Sequence, residues 1–245
     1  MKQKTFLLIL FSISCLWSFA QLSGGVRAGG NFTNILGPNS KDFKFKPGFH
    51  AGAYMEYDFA THLSFQAEGV YSVKGYRQKY TRTTNIMIST ISEDVNVLYS
   101  LSYIDVPLIL NINFGSMGSY IGFGPQVSFL VSAKWDGENS TTTTFTNPPR
   151  SVSTTSTVSG VGTDGLNPVD FGVIFGLGSK FENGMEYCLR GGYGLTNVFD
   201  PHQAATSEVY HNLVLSATIG YAFGQTSGSY VSHKGYSKKK KRRRH

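Results

Sequence analysis

The stretch that decides the fold is residues 49–73, FHAGAYMEYDFATHLSFQAEGVYSV, in which apolar and polar side chains alternate. Apolar or small residues occupy every second position from Phe49 to Phe59, and again from Leu63 to Val73. Ala60 and Thr61 lie in the short connection between the two runs. A period of two is the geometry of a β-strand, because successive side chains point to opposite faces. The stretch therefore predicts two long antiparallel strands joined by a tight turn.

The same alternation recurs along the rest of the chain. A second pair of runs meets at the turn 115–118, and a third pair meets across Glu182-Asn183-Gly184, where Asn-Gly favours the positive φ of a hairpin turn. Single runs open and close the series. The alternating runs are 26–32, 49–59, 63–73, 104–114, 121–131, 169–177, 187–195 and 213–223, and they predict eight strands of roughly ten or more residues.

The connections between these strands alternate between long and short. In order they contain about 15, 2, more than 20, 4, about 30, 3 and about 12 residues, which is the asymmetry of outer-membrane barrels with short periplasmic turns. Strands of this length, when tilted, are long enough to cross a hydrocarbon layer. We therefore predict an all-β fold, an eight-stranded antiparallel transmembrane β-barrel in up-and-down order, with long extracellular loops.

The two faces of the predicted strands differ in chemistry. The outward face carries aromatic residues near both ends of the strands, which is typical of interfacial girdles: Phe59, Phe114, Phe181 and Phe223 by the short turns, and Phe32, Tyr71, Phe171 and Tyr193 by the long loops. The inward face carries charges, because charges facing lipid would be costly. An eight-stranded barrel has little interior space, so we predict that these charges pair with one another; a proton path or channel is the alternative. The predicted ion network comprises Arg27, Glu56, Glu68, Asp105, Lys180, Glu186 and Arg190, with Lys74 and Asp170 on the same face.

The N-terminus has the pattern of an export signal. Two lysines precede an apolar run, and Ser18-Phe19-Ala20 places small residues at a cleavage position. We predict a signal peptide at 1–20, a barrel at 21–224 and a tail at 225–245. Lipidation at Cys15 is the less favoured alternative, because Ser12 stands where a lipobox has a larger aliphatic residue. Cys188 is then the only cysteine of the mature chain, so no intramolecular disulfide is expected.

The net charge of +7 is concentrated at the C-terminus. Seven consecutive cations, Lys238, Lys239, Lys240, Lys241, Arg242, Arg243 and Arg244, follow the last predicted strand. Such a run seeks phosphate or carboxylate groups. Because an exported eight-stranded barrel places both termini in the periplasm, we expect lipid head groups or an acidic periplasmic protein as partners of this tail, and no nucleic acid. A plain solubilising end is the alternative.

The sequence offers little chemistry for catalysis or cofactor binding. His50 is the only histidine inside a predicted strand, and no two histidines have metal-ligand spacing on one face of an element. We predict no metal, no cofactor and no enzymatic activity. Two long connections differ in composition: 136–168 is rich in Ser, Thr, Asn and Gly and is predicted to be a mobile loop, whereas the apolar residues of 78–98 suggest strands that extend past the membrane and a loop that packs on something.

Several segments resemble the PorT-like family of Bacteroidota outer-membrane barrels, and in their order they cover the chain from Gly25 to Phe223. They are GVRAGGNFT at 25–33, GFHAG at 48–52, QAEGVYSVKG at 66–75, YIDVPL at 103–108, GFGPQ at 122–126 and DFGVIFGLG at 170–178. The resemblance implies a barrel without catalytic residues. It also implies a role, held by one member of the family, in protein secretion by the type IX system. The basic tail departs from the family's pattern.

Three functions remain open on the sequence. The first is a non-enzymatic outer-membrane component of type IX secretion, in which outer-membrane lipid surrounds the barrel and other secretion-system proteins contact its loops or tail. The second is a passive barrel that binds or conducts a small solute or supports the envelope. The third is a lipid- or peptide-modifying barrel enzyme. Measurements of protein secretion, channel conductance and lipid composition would distinguish these three functions, whereas the sequence alone does not.

Overall fold

The computed structural model describes residues 22–38, 40–114, 118–200 and 208–223. The predicted signal peptide at 1–20 and the basic tail at 225–245, including Lys238–Arg244, lie outside the described residues. Ten strands and one 3-10 turn, Ser40–Asp42, are present among the described residues. The strands are β1 Leu22–Leu36, β2 Phe43–Lys44, β3 Lys46–Ala60, β4 Leu63–Ile86, β5 Ser89–Phe114, β6 Ser119–Thr146, β7 Pro149–Val161, β8 Val169–Lys180, β9 Met185–Gly194 and β10 His211–Phe223.

Eight of these strands close into a ring. The ring runs β1, β3, β4, β5, β6, β8, β9, β10, and every neighbouring pair is antiparallel. It closes where β1 pairs with β10, from Gly24 opposite Phe223 to Leu36 opposite His211. Closure satisfies the main-chain hydrogen bonds that an open sheet edge would expose to lipid. The predicted eight-stranded antiparallel barrel is therefore confirmed.

The outer surface of the ring is apolar. All eight girdle aromatics are exposed on it, and so are the aliphatic side chains between the girdles, such as Leu177 and Leu189. Residues that alternate with them face the interior and are buried or half-buried. No helix among the described residues is long and apolar enough to cross a membrane. We take the strand portions between the two girdles as the membrane-spanning segments.

Three strands of the ring, β4, β5 and β6, continue well past the girdle at the end with long connections, and β7 pairs with the extended part of β6. Residues 76–86 of β4, 89–99 of β5, 135–146 of β6 and 149–161 of β7 form one four-stranded sheet, called here the extracellular sheet. Ten residues of a β-strand span about 33 Å, so the sheet extends about this far beyond the barrel. The strands of 78–98 extend past the membrane as predicted. The apolar tip of this hairpin does not pack, since Met87 is 99% exposed and Ile86 and Ile88 are exposed beside it.

The assignment of 136–168 to a loop is wrong for most of that segment. Residues 136–146 continue β6 and residues 149–161 form β7. Threonine favours strands, and opposed Ser and Thr hydroxyls hydrogen-bond across the two strands. The bonded pairs are Ser140–Thr155 at 3.2 Å, Thr142–Ser153 at 2.9 Å and Thr144–Ser151 at 3.3 Å. The segment thus forms a regular hairpin without burying an apolar core.

Candidate functional site

The centre of the barrel interior holds two guanidinium groups and two carboxylates. Arg27 donates to Glu68 at 2.6 Å and to both oxygens of Glu186 at 3.0 and 3.1 Å. Arg190 donates two hydrogen bonds to Glu68, at 2.9 and 2.8 Å. The Tyr120 hydroxyl also donates to Glu186. We call Arg27, Glu68, Glu186 and Arg190 the central ion cluster; its formal charges cancel, which is what permits such groups to be buried together.

A second ion pair lies toward the short turns. Lys180 pairs with Glu56, and the other oxygen of Glu56 accepts hydrogen bonds from Ser64 at 2.5 Å and Asn111 at 3.3 Å. Asn111 also donates to Gln66 at 2.8 Å. This polar layer closes the interior near the periplasmic end of the barrel.

A third group of polar side chains lies toward the extracellular end. Lys74 pairs with Asp105 at 2.7 Å, and Asn212 donates to Asp170 at 2.8 Å. The ring of His50 lies beside them, with Nδ1 at 2.7 Å from Asn31 Oδ1 and Nε2 at 2.9 Å from Thr218 Oγ1. His50 is therefore held by neutral hydrogen-bonding partners on both ring nitrogens.

Inward-facing glycines make room for these side chains. A Cβ atom at Gly178 would lie 2.6 Å from the Tyr120 hydroxyl oxygen, and one at Gly122 would lie 2.4 Å from Oδ1 of Asn111. The remaining space is small: the cavity between the central ion cluster and the extracellular layer has a volume of about 60 Å³. Such a cavity holds a few water molecules and no larger solute.

The structure brings all seven residues of the predicted ion network into ion pairs, six of them at the barrel's centre and short-turn end through Glu68, Glu186 and Glu56. Asp105 stands apart from them and pairs with Lys74. Sequence reasoning missed the neutral side chains that complete the network. Strand parity could have found Ser64, Gln66 and Asn111, which share the inward face with Glu56 and Glu68, but it could not have shown their partners.

A second feature lies outside the membrane, at the base of the extracellular sheet. Tyr76, Leu101 and Tyr210 belong to an apolar cluster there, against which Phe43 and Phe199 pack. Burial raises the pKa of the Tyr76 phenol well above its ordinary value, so this side chain is neutral at physiological pH. The cluster ties the sheet to β2, which pairs with β4, and to the connection between β9 and β10.

No group of three or more His, Cys, Asp or Glu side chains among the described residues is arranged to hold a metal ion. A closed ring with an apolar outer belt, two aromatic girdles and a charged interior defines an outer-membrane β-barrel. The chain belongs to the outer membrane protein beta-barrel domain family, whose pattern it matches over residues 19–200.

Solved structures of small outer-membrane barrels are similar to this chain. Neisserial surface protein A (NspA) is 13% identical with a TM-score of 0.43, covering 82% of this chain and 97% of its own. Ail of Yersinia pestis is 9% identical with a TM-score of 0.36, covering 82% and 98%. OprG of Pseudomonas aeruginosa is 12% identical with a TM-score of 0.32, covering 82% and 94%. No curated protein matches the chain.

Proposed function

We propose that this protein is a non-enzymatic component of protein secretion by the type IX system, anchored in the outer membrane by its barrel. The observation that carries the proposal is the contrast between a barrel interior filled with paired side chains and a four-stranded sheet raised from its extracellular end. A filled interior favours anchoring over transport, and a raised sheet favours contact with other proteins. The resemblance to the PorT-like family supports the choice of secretion system.

The extracellular sheet has a surface suited to a protein partner. Among the described residues, β7 pairs with β6 alone, so one side of its 13 residues presents unpaired main-chain groups. Such an edge accepts an extended segment of another chain by strand addition. The apolar tip at Ile86, Met87 and Ile88 offers a second contact in the same sheet.

Deletion of the gene tests the proposal directly. Cells and medium are fractionated, and secreted proteins that carry type IX sorting domains are followed in each fraction. We expect these proteins to accumulate in the periplasm of the deletion strain and to be exported again when the full-length gene is restored. Normal export in the deletion strain would exclude a secretion function.

A trimmed protein tests whether the extracellular sheet is the contact surface. Residues 80–95 and 139–156 are each replaced by Asn-Gly, which joins Lys79 to Asn96 and Glu138 to Thr157, positions that pair in the intact sheet. The trimmed barrel should reach the outer membrane and remain heat-modifiable on gels, yet fail to restore export. Full restoration by an assembled trimmed protein would place the contact elsewhere.

A passive barrel that conducts a small solute is the alternative, and conductance separates it from the proposal. Because the interior side chains are paired and the cavity is small, we expect the purified protein to leave the conductance of a planar bilayer at its background level. A channel-forming barrel of known conductance, reconstituted in parallel, shows that insertion is detectable. Stable channel openings that depend on this protein would favour the passive barrel.

A further inference from the structure

A row of directly opposed residues crosses the base of the extracellular sheet. Tyr76 of β4 pairs with Tyr99 of β5, Tyr99 pairs with Trp135 of β6, and Trp135 pairs with Gly160 of β7. Opposed residues on neighbouring strands project from the same face. The rings of Tyr76 and Tyr99 stack with centroids 4.7 Å apart and planes 18° from parallel. Three aromatic side chains therefore stand side by side on one face.

The glycine at the end of this row positions the tryptophan. An ideal Cβ atom at Gly160 would lie 2.3 Å from a carbon of the Trp135 ring, and one at Gly162 would lie 3.8 Å from it. The indole thus leans over the β7 backbone, which only glycine at 160 allows. Trp135 is half-buried, so part of its ring remains accessible.

This row forms one wall of a pocket of about 580 Å³. Phe43 of β2, which pairs with β4, and Phe199 and Tyr210 from the connection between β9 and β10 complete its aromatic lining. Phe43 contacts both Tyr76 and Tyr210, with ring centroids 5.0 and 5.5 Å apart. The volume lies within the range of small-molecule sites. The pocket is separate from the ion network of the barrel interior, since none of its described lining residues belongs to that network.

The charge of the pocket favours a cation. Asp164 lines it, and its described lining residues include no lysine, arginine or histidine. The cations nearest in sequence to the row, Arg77 and Lys134, are exposed and lie on the opposite face of the sheet, because they alternate with Tyr76 and Trp135. Aromatic ring faces carry partial negative charge, so they add to the attraction that the carboxylate exerts on a cation.

We propose that this pocket binds a small organic cation of the methylated ammonium class. Asp164 supplies the counter-charge, and the rings of Tyr99 and Trp135 contact the apolar methyl groups around the cationic nitrogen. A methylated ammonium sheds its water more readily than a metal ion or a primary amine, so aromatic walls suit it best. An anionic ligand would meet the Asp164 carboxylate without a compensating positive side chain.

Choline and its uncharged isostere 3,3-dimethyl-1-butanol have the same shape, but only choline carries a positive charge. Comparing the binding of these two ligands therefore tests the proposal. A chain that begins at Gln21 contains Trp135 as its single tryptophan, so the fluorescence of that residue reports on the pocket itself. The protein is purified in octyl glucoside, because a phosphocholine detergent would compete. We expect choline to change the emission of Trp135 in a saturable way, with an affinity at least about tenfold higher than that of the isostere.

Two matched carboxylate variants locate the charge that matters. Both carboxylates are exposed, but D164N removes the one that lines the pocket, whereas D136N removes one that follows Trp135 and lies on the opposite face of the sheet. D164N should weaken choline binding about tenfold, and D136N should leave it within about twofold. Heat-modifiability on gels checks that both variants are folded.

Each result supports or overturns the proposal. Equal binding of choline and the isostere would make the pocket a site for apolar ligands, and the absence of a saturable response to choline would leave no site for this class of cation. Equal loss of binding in D164N and D136N would show a long-range charge effect in place of a contact. If D164N does not fold, the comparison of choline with the isostere on the unaltered chain still tests the proposal.

Discussion

Glu68 is the carboxylate that pairs with both guanidinium groups of the central ion cluster. Its two oxygens accept hydrogen bonds from Arg27, Arg190 and the Gln66 amide, the last at 2.5 Å. Arg27 also lies over the ring of Tyr54, 4.2 Å from its centroid. Removing this one carboxylate would leave two buried guanidinium groups with a single full counter-charge, Glu186.

The variant E68Q should therefore be strongly destabilised. We expect the free energy of unfolding to fall by about 3–5 kcal/mol, because one partner of buried ion pairs is lost while the others stay buried. Urea titration of the protein in lipid vesicles measures this change. As a control, E93Q alters an exposed glutamate of the extracellular sheet and should change stability by no more than about 0.5 kcal/mol. Similar losses in both variants would contradict a structural role for the ion cluster.

Cys188 reports on how well the interior excludes reagents. It is 3% exposed, and Arg190 Nε donates to its sulfur at 3.2 Å. In a chain that begins at Gln21 it is the only cysteine, so labelling is unambiguous. We expect a water-soluble maleimide to react with Cys188 only after denaturation. A cysteine placed on the exposed edge strand, T155C in a C188S background, should react at once in the folded protein. Equally fast labelling at both positions would show an open interior.

At the scale of the element, alternate side chains of β8 face two different environments, the lipid and the barrel interior. Along this strand Phe171, Val173, Phe175 and Leu177 are exposed on the lipid-facing surface, while Asp170 is buried inside the barrel. Leu177 is opposite Ile121 on one neighbouring strand and Leu189 on the other. Its side chain thus lies in the middle of the apolar belt, between the girdle positions Phe171 and Phe181.

The substitution L177R measures whether that belt faces hydrocarbon. An arginine near the middle of the bilayer on the lipid face of a barrel costs about 2–4 kcal/mol, so we expect a loss of stability of this size in vesicles. The matched change T154R, at an exposed position of β7 outside the hydrogen-bonded Ser–Thr hydroxyl pairs, should cost less than about 0.5 kcal/mol. Urea titration of both variants gives the comparison. A negligible effect of L177R would mean that this face does not contact lipid acyl chains.

The extracellular sheet shows that an element can be regular without a hydrophobic core. Val97 is buried in it, but most residues of 149–157 are exposed. Main-chain pairing and hydroxyl pairs between Ser and Thr hold this part together, with the rigid barrel below as a template. Composition alone predicts a loop here, because it does not reveal that β6 already fixes the direction and register of the returning strand.

For the whole molecule, ring closure between β1 and β10 sets the limit of the folded barrel. The described pairing ends at Gly24 opposite Phe223. Deletion of residues 225–245 should therefore leave a barrel that assembles and stays heat-modifiable, while binding to vesicles that contain anionic lipid falls. Loss of assembly would show that the tail contributes to the barrel. Unchanged binding would leave the tail as a solubilising end.

Much of the architecture follows from the sequence, because the period of two has a single geometric meaning. Residues 49–73 alone define two strands, their turn and the face that each side chain takes, and a buried charge such as Glu56 or Glu68 must then find a partner. The number of strands and the alternation of long and short connections indicate a barrel of the outer-membrane class. These properties depend on neighbours in sequence and on the cost of exposing the wrong face to lipid.

Only the tertiary structure decided which distant residues meet. Arg27 reaches Glu186 across 159 positions of sequence because the ring closes through β1 and β10. The row of Tyr76, Tyr99 and Trp135 exists because three separate strands pair in one register, and no spacing along the chain reveals it. The sequence by itself determined the barrel and its two faces, since period and polarity act locally. The ion partners and the aromatic pocket depend on register between strands, which the closed ring alone fixes.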